Sequence, residues 1–250
     1  MRRCTLLLAA LLCLAAPAAA MTSGRPPAQT DRRFDAVAGF TRTEWAGINN
    51  IFGNAVLISP DRIVIPRHLI NEQFRNRASV DGAPAEYTVR FRRRPDGGLG
   101  DLADLSTFHH VRIREWVFPA GRAEKDDIAI GILETPVLHI SPMVIDFNPR
   151  VNAKTPILRA SWGPESSSTG IVPKGRLLIG EVRLRSAGSV MKLAPKSAQM
   201  PTEVVRHDSG SPILAMSGSS VRMIGLVSTT VGGPAFKSHA NTRLFPKARR

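Results

Sequence analysis

The chain has 250 residues, 43% of them hydrophobic, and a formal net charge of +14 at pH 7. This length is sufficient to bury a hydrophobic core, either as one domain or as two small lobes. No segment after residue 20 has an apolar run long enough to span a bilayer, which argues against a membrane-spanning protein. A single Tyr and three Trp argue against a nucleic-acid surface built on aromatic stacking.

The first twenty residues, "MRRCTLLLAALLCLAAPAAA", have the three parts of a secretory signal. Two arginines provide a positive start, residues 6–16 are apolar, and three alanines at 18–20 form a small-residue cleavage site. We therefore predict that residues 1–20 are a signal peptide and that the mature chain is secreted or periplasmic, with no membrane anchor. Both cysteines, Cys4 and Cys13, lie in this segment, so the mature fold depends on its core alone.

Residues 21–45 contain few apolar residues in any periodic pattern, which predicts a flexible leader or pro-segment. From residue 46 the chain contains short runs rich in branched residues and bounded by Pro, Gly or Asp, as strands are. The first set consists of "NAVLIS", "RIVIP", "YTVRF", "HHVRIR" and "DIAIGIL". The segment after His68, "LINEQFR", is the one helical candidate.

A second set of strands follows a predicted crossover at residues 138–149. It consists of "TPILRAS", "RLLIGEVRLR", "SPILAM" and "VRMIGLVS". Within it, "GEVRLR" alternates apolar and charged residues, which is typical of a half-buried strand. The pattern predicts an all-β protein in two sequential halves, residues 46–138 and 139–250.

Part of the positive charge is concentrated in "VRFRRRPDGG", which contains Arg90, Arg92, Arg93 and Arg94. Removing the signal lowers the formal net charge only from +14 to +12, because two arginines leave with it. A basic surface of this kind is suited to binding an anionic polymer, for example in the cell envelope. The other interpretation is a solvated basic loop with no ligand.

Three short motifs contain residues suited to nucleophilic catalysis. His68 follows the strand "RIVIP", Asp127 precedes the strand "IAIGIL", and Ser209 lies in "HDSGSPIL". A serine nucleophile needs an imidazole to take its proton and a carboxylate to orient that imidazole. Each residue alone also has an ordinary interpretation as a turn or strand-edge residue, and Asp126 competes with Asp127.

The order His, Asp, Ser and the motifs "RHLI", "DIAI" and "HDSGSP" resemble those of the chymotrypsin-like, or trypsin-like, serine peptidases. The lack of a cysteine after His68, and Ser211 ahead of Pro212, are most similar to the cysteine-free bacterial glutamyl-endopeptidase-like branch. The resemblance extends over roughly residues 45–245, with supporting matches at "IGLVS" and "NTRL".

This resemblance implies two antiparallel six-stranded β-barrels, with the active site in the cleft between them. It implies that His68 is the general base, Asp127 its orienting partner and Ser209 the nucleophile. The backbone N–H groups of His207 and Ser209 would form the oxyanion hole, and Ser228 would bind the substrate backbone. The substrate would be a protein or peptide, and neither a metal nor a cofactor is implied.

The sequence departs from the family pattern at two residues that precede Ser209. His207 occupies a position that is usually glycine. In many family members the aspartate at the position of Asp208 pairs with a new N-terminal amine made by cleavage, but residues 21–46 contain no matching cleavage site. Asp208 therefore needs another partner, or the site forms without processing.

Specificity is expected to depend on Glu203, six residues before Ser209, if the family's pocket register holds. A carboxylate at the pocket base would favour a basic side chain before the scissile bond, whereas the alternative is an ordinary exposed Glu in the "PTEVV" loop. Two other functions remain open: a catalytically inactive homologue acting as a binding module, and a basic exported protein that binds polyanions. No specific nucleic-acid partner is expected.

Overall fold

The fold consists of strands joined by turns and short 3-10 segments. The computed structural model describes residues 24–42, 51–70, 83–101, 105–118, 127–152, 154–162, 165–167, 170–172, 177–186, 190–195, 208–231 and 237–241. These residues contain fifteen strands and no α-helix, which confirms the predicted all-β class. None of them forms a helix long and apolar enough to cross a membrane. The predicted signal peptide and most of "LINEQFR" lie outside the described residues.

The first six strands form a closed antiparallel barrel in the order β1-β2-β3-β6-β5-β4. These strands are β1 (Val37–Arg42), β2 (Gly53–Ser59), β3 (Arg62–Ile65), β4 (Tyr87–Phe91), β5 (His109–Val117) and β6 (Ala129–Leu133). Because β1 pairs with both β2 and β4, the barrel does not close without it. The predicted flexible leader at 21–45 is therefore wrong for residues 37–42, and the barrel begins before residue 46.

Aromatic rings fill the interior of this barrel. Phe40 stacks on Tyr87 with ring centroids 5.4 Å apart, and Trp116 packs edge-on against both rings at 6.1 and 5.7 Å. Such edge and stacked contacts add to the stabilisation from burying the rings. Along β5 the buried residues alternate with exposed ones over most of the strand, so that one face supplies the core and the other faces outward.

The second half of the chain forms a seven-stranded sheet in the order β13-β12-β7-β10-β11-β15-β14. Its strands are β7 (Ile157–Ser161), β10 (Leu178–Ser186), β11 (Val190–Pro195), β12 (Pro212–Ser217), β13 (Ser220–Leu226), β14 (Thr229–Val231) and β15 (Lys237–Asn241). Two short strands, β8 (Glu165–Ser167) and β9 (Gly170–Val172), pair with each other. Among the described residues this half is a sheet, and only the first half closes into a barrel.

The predicted crossover at residues 138–149 lies between β6 and β7, and its backbone pairs with the edge of β13 in the second sheet. The Met223 N–H donates to the Val144 carbonyl at 2.8 Å, and the Asp146 N–H donates to the Met223 carbonyl at 2.8 Å. A parallel bridge between Ile145 and Met223 results. The crossover is therefore attached to the second half by backbone hydrogen bonds.

Several hydrogen bonds join the barrel and its leading segment to the second half of the chain. The indole N–H of Trp162, which follows β7, donates to the Val37 carbonyl of β1 at 2.9 Å. Arg25 and Ile179 exchange two backbone hydrogen bonds of 2.9 Å each, which attaches the chain ahead of β1 to β10. Asn54, at the start of β2, donates to the carbonyl of Ser209 in the second half.

The basic segment at 90–94 is largely buried, so the interpretation as a solvated loop is wrong for three of its four arginines. Arg90, Arg92 and Arg93 are 2%, 7% and 5% exposed. Asp35, itself 3% exposed, accepts hydrogen bonds from Nε of Arg92 at 3.0 Å and from Nε of Arg93. Arg94 instead pairs with Asp96 on the surface. The prediction that a basic surface binds an anionic polymer is untested, but these three side chains contribute little exposed charge to it.

Asp35→Asn should lower the free energy of unfolding by about 3–5 kcal/mol, because it leaves two buried guanidinium groups without their shared carboxylate. Asp96→Asn is the matched control, since it removes a carboxylate from an exposed pair whose acid is 62% exposed. That control should change stability by no more than about 0.5 kcal/mol. Urea denaturation of both variants measures the difference, and equal effects would contradict a structural role for Asp35.

Candidate active site

His68 is fixed at the exit of β3 by a short 3-10 turn, Arg67–Leu69. Pro66 precedes this turn and ends the strand, because it cannot donate to the sheet. The His68 backbone N–H donates to Oδ1 of Asp127 at 2.9 Å, and the Arg67 N–H donates to the Asp127 carbonyl at 3.3 Å. The turn is therefore held against the residue just before β6, the strand that pairs with β3.

Asp127 lies directly before β6 and is 8% exposed. Its Oδ2 atom is 2.7 Å from Nδ1 of His68, and it also accepts a hydrogen bond from the hydroxyl of buried Ser228. With the backbone N–H of His68 on Oδ1, both carboxylate oxygens are engaged. This bonding fixes the carboxylate against the imidazole. Asp126, the competing candidate, lies outside the described residues.

Ser209 lies in a tight turn between Asp208 and β12. Its Oγ atom is 2.9 Å from Nε2 of His68, on the side of the ring opposite Asp127. The structure thus brings together the three predicted side chains as a continuous chain of carboxylate, imidazole and hydroxyl. The carboxylate at Nδ1 favours the tautomer with a proton there, which leaves Nε2 free to accept the hydroxyl proton.

Gly210 makes this turn sterically feasible. Its φ is +83°, a region that residues with a Cβ rarely adopt, and a Cβ there would overlap the carbonyl oxygen of Asn54. The turn is closed by the Ser211 N–H, which donates to the Asp208 carbonyl at 3.0 Å. The Gly210 N–H donates to the Val227 carbonyl at 2.7 Å, attaching the turn to the end of β13.

The carboxylate of Asp208 has its partners inside the protein. Asp208 is 1% exposed, and its Oδ2 atom lies 3.1 Å from Nη1 of Arg159, a β7 residue that is 0% exposed. The hydroxyl of Ser161, also on β7, donates to Oδ1 of Asp208 at 2.5 Å. A buried charge is costly unless it is paired and hydrogen-bonded, and Asp208 is both. The residue before Ser209 is therefore held on the sheet by an internal cation.

Sequence reasoning missed Asn54, which connects the two halves at this point. Its backbone N–H and its Nδ2 both donate to the Ser209 carbonyl, at 2.7 and 3.2 Å. Its Oδ1 accepts from the Trp162 N–H at 2.7 Å, and Nδ2 also lies 3.3 Å from the Ser161 hydroxyl. The available signal was an amide residue at the start of the apolar run "NAVLIS", since a buried Asn needs several partners.

Two predicted site residues, His207 and Glu203, lie outside the described residues. Their roles, as an oxyanion donor and at the base of a specificity pocket, therefore stay predictions. Ser228 lies within the described residues, and its hydroxyl donates a hydrogen bond to Oδ2 of Asp127. In the part of the chain that the structure describes, no three His, Cys, Asp or Glu side chains cluster as a metal site would require.

No protein-family model matches this chain, and no curated protein matches it either.

Arg159→Met should lower the free energy of unfolding by about 3–5 kcal/mol, because the buried carboxylate of Asp208 loses its cation. Asp208→Asn should cost a similar amount. The double variant should cost clearly less than the sum of the two, since residues that share one interaction are not additive. Urea denaturation of the three variants measures this coupling.

Arg222→Met is the control for the loss of an arginine, because Arg222 is exposed on β13 of the same sheet. Its effect should stay within about 0.5 kcal/mol. Strict additivity of the Arg159 and Asp208 variants would contradict a direct interaction between the two charges.

Proposed function

We propose that this chain is a serine endopeptidase of the chymotrypsin-like type, acting outside the cytoplasm on protein or peptide substrates. The observation that carries the proposal is the hydrogen-bonded chain from Asp127 through His68 to Ser209, with contacts of 2.7 and 2.9 Å. The three residues come from distant parts of the sequence, so no local turn requirement accounts for their meeting. The order of the motifs and the closed antiparallel barrel further support it.

In the proposed reaction, Oγ of Ser209 attacks the scissile carbonyl carbon while Nε2 of His68 takes its proton. The imidazolium is stabilised by Asp127, and the tetrahedral intermediate collapses as His68 gives the proton to the leaving amine. Water then attacks the acyl-enzyme, again with His68 as base, and releases the carboxylic acid product and free Ser209. Metals and cofactors take no part in these steps.

The backbone N–H groups of His207 and Ser209 are the proposed donors to the oxyanion. Such preorganised donors stabilise charge that develops only in the transition state, which is where they lower the barrier. Ser228 is proposed to present its backbone to the substrate. Its hydroxyl contact with Asp127 couples that segment to the triad. In the complete fold, the second sheet is proposed to close into the second of two six-stranded barrels.

The ion pair between Arg159 and Asp208 bears on activation. A new N-terminal amine is needed only where the aspartate before the nucleophile has no other cation. Here that carboxylate is buried, is paired with Arg159 and accepts a hydrogen bond from Ser161. We therefore propose that the mature enzyme is active without proteolytic processing beyond removal of the signal peptide.

Ser209→Ala should reduce turnover on casein by at least about four orders of magnitude while leaving the melting temperature unchanged within error, because it removes the nucleophile and little else. His68→Ala should have a similar effect on turnover, and the double variant should be little worse than either single one. Ser220→Ala is the matched control, because its hydroxyl is on the surface of β13. A fluorophosphonate probe should label the wild type and Ser220→Ala, but not Ser209→Ala.

The same experiment separates the alternatives. A folded wild-type protein that neither cleaves casein nor takes the probe would contradict the proposal and favour an inactive homologue that acts as a binding module. Absence of labelling together with steeply salt-dependent binding to a polyanion would favour the basic exported binding protein. Cleavage by Ser209→Ala at a rate within tenfold of wild type would rule out Ser209 as the nucleophile.

A further inference from the structure

Arg90 is a buried cation that forms no ion pair with any of the described residues. It lies on β4 and is 2% exposed, and neither its Nε nor its Nη1 atom has a hydrogen-bond partner. The structure describes three other buried arginines, and each of them pairs with a carboxylate: Arg92, Arg93 and Arg159. Burial lowers the pKa of Arg90, because water no longer solvates its charge. An isolated buried charge of this kind is costly, so a partner is expected.

Strand register places Arg90 on the outer face of the barrel. Phe40, Val89 and Val111 are partners across β1, β4 and β5, and all three are buried in the core. Arg90 alternates with these residues along β4, so its side chain leaves the opposite face. On that face it lies between Gly39 of β1 and His110 of β5. The side chain of Ile51 packs against Gly39, at the place that a Cβ of residue 39 would occupy.

A cavity of about 420 Å³ lies at this place on the barrel. Arg90 lines it together with Thr41 and Thr88, which are both buried, and with Arg112 at its exposed rim. The volume falls within the range of small-molecule sites. A carboxylate from Glu134, on the exposed rim, also lines it and offsets part of the positive charge. Two guanidinium groups against one carboxylate leave the cavity with an excess of positive charge.

The cavity is lined by residues of β1, β4 and β5 and by the segment that follows β6. The barrel order is β1-β2-β3-β6-β5-β4, and Arg90 lies on β4. Asp127 precedes β6, whereas Glu134 follows it, so the two residues lie at opposite ends of that strand. The lining of the cavity contains none of the three proposed catalytic residues. A ligand here would therefore be distinct from the peptide substrate.

We propose that this cavity is a binding site for a small oxyanion, a carboxylate or phosphate group, whose negative charge pairs with Arg90. The guanidinium supplies charge-assisted N–H donors, which are the strong donors for both kinds of oxyanion. Arg112 at the rim attracts the anion. Binding does not depend on the proposed peptidase activity.

The test is calorimetric titration of the full mature protein with inorganic phosphate and, separately, with acetate, at constant ionic strength in sodium chloride. We expect saturable binding of at least one of them at one site per chain. Arg90→Met should weaken that binding by about tenfold or more, because it removes the charge-assisted donors. Arg112→Met should weaken it several-fold. Arg114→Met, an exposed arginine on the same strand, should bind like wild type.

Thermal melts add a second and independent readout. In chloride buffer, Arg90→Met should melt at or above the wild-type temperature, because the substitution removes an unpaired buried charge. The buried arginine with a partner, Arg159, should show the opposite sign when replaced by Met. Phosphate or acetate, whichever binds, should raise the wild-type melting temperature and leave that of Arg90→Met unchanged.

Several outcomes would overturn the proposal. They are the absence of saturable binding of either anion, equal binding by wild type and Arg90→Met, or a fall in the melting temperature of Arg90→Met as large as that of Arg159→Met. If Arg90→Met does not fold, the wild-type titration and Arg112→Met decide. Binding of phosphate without acetate would assign a phosphate-bearing ligand, and the reverse would assign a carboxylate-bearing one.

Discussion

The buried pair of Arg159 and Asp208 is the constraint on which the geometry of the site depends. It attaches Asp208, the residue immediately before Ser209, to β7. This strand lies between β10 and β12 in the second sheet. From the other side, Asn54 of the barrel holds the Ser209 carbonyl with two donors. The serine is thus held from both halves of the chain. His68 and Asp127 lie beside strands of the barrel, whereas Ser209 lies in the second half of the chain. The position of the Ser209 hydroxyl relative to the imidazole therefore depends on the contacts of Asp208 and Asn54.

Several charged residues of this protein are buried, and most of them form ion pairs in its interior. Asp35 pairs with two buried arginines at the base of the barrel, and Asp208 pairs with a third next to the site. Both arrangements join segments that are far apart in sequence. Arg90 differs from these arginines because it forms no ion pair with a carboxylate among the described residues. The same residue type therefore serves as a cross-link at three positions and as a ligand-binding candidate at the fourth.

The sequence allowed the all-β class and many individual strands to be predicted, since alternation and branched residues are local signals of a half-buried strand. It also allowed His68, Asp127 and Ser209 to be singled out, because each stands beside such a strand. β1 was not predicted as a strand because both of its faces are covered. Val37–Arg42 therefore shows no alternation of buried and exposed residues. The burial of Arg92 and Arg93 and the role of Asn54 were not predictable locally. Their partners lie 57 to 155 residues away in the chain, where composition contains no information about them.

The order of the strands along the chain has a consequence for synthesis. All six strands of the barrel lie between residues 37 and 133, so the barrel has every strand it needs once that stretch has emerged. Domains fold as units while the rest of the chain is still being made. The imidazole and its carboxylate can therefore be in place long before residue 209 exists. A chain interrupted before residue 208 would therefore contain all six barrel strands, with His68 and Asp127 beside them, but not the hydroxyl of Ser209.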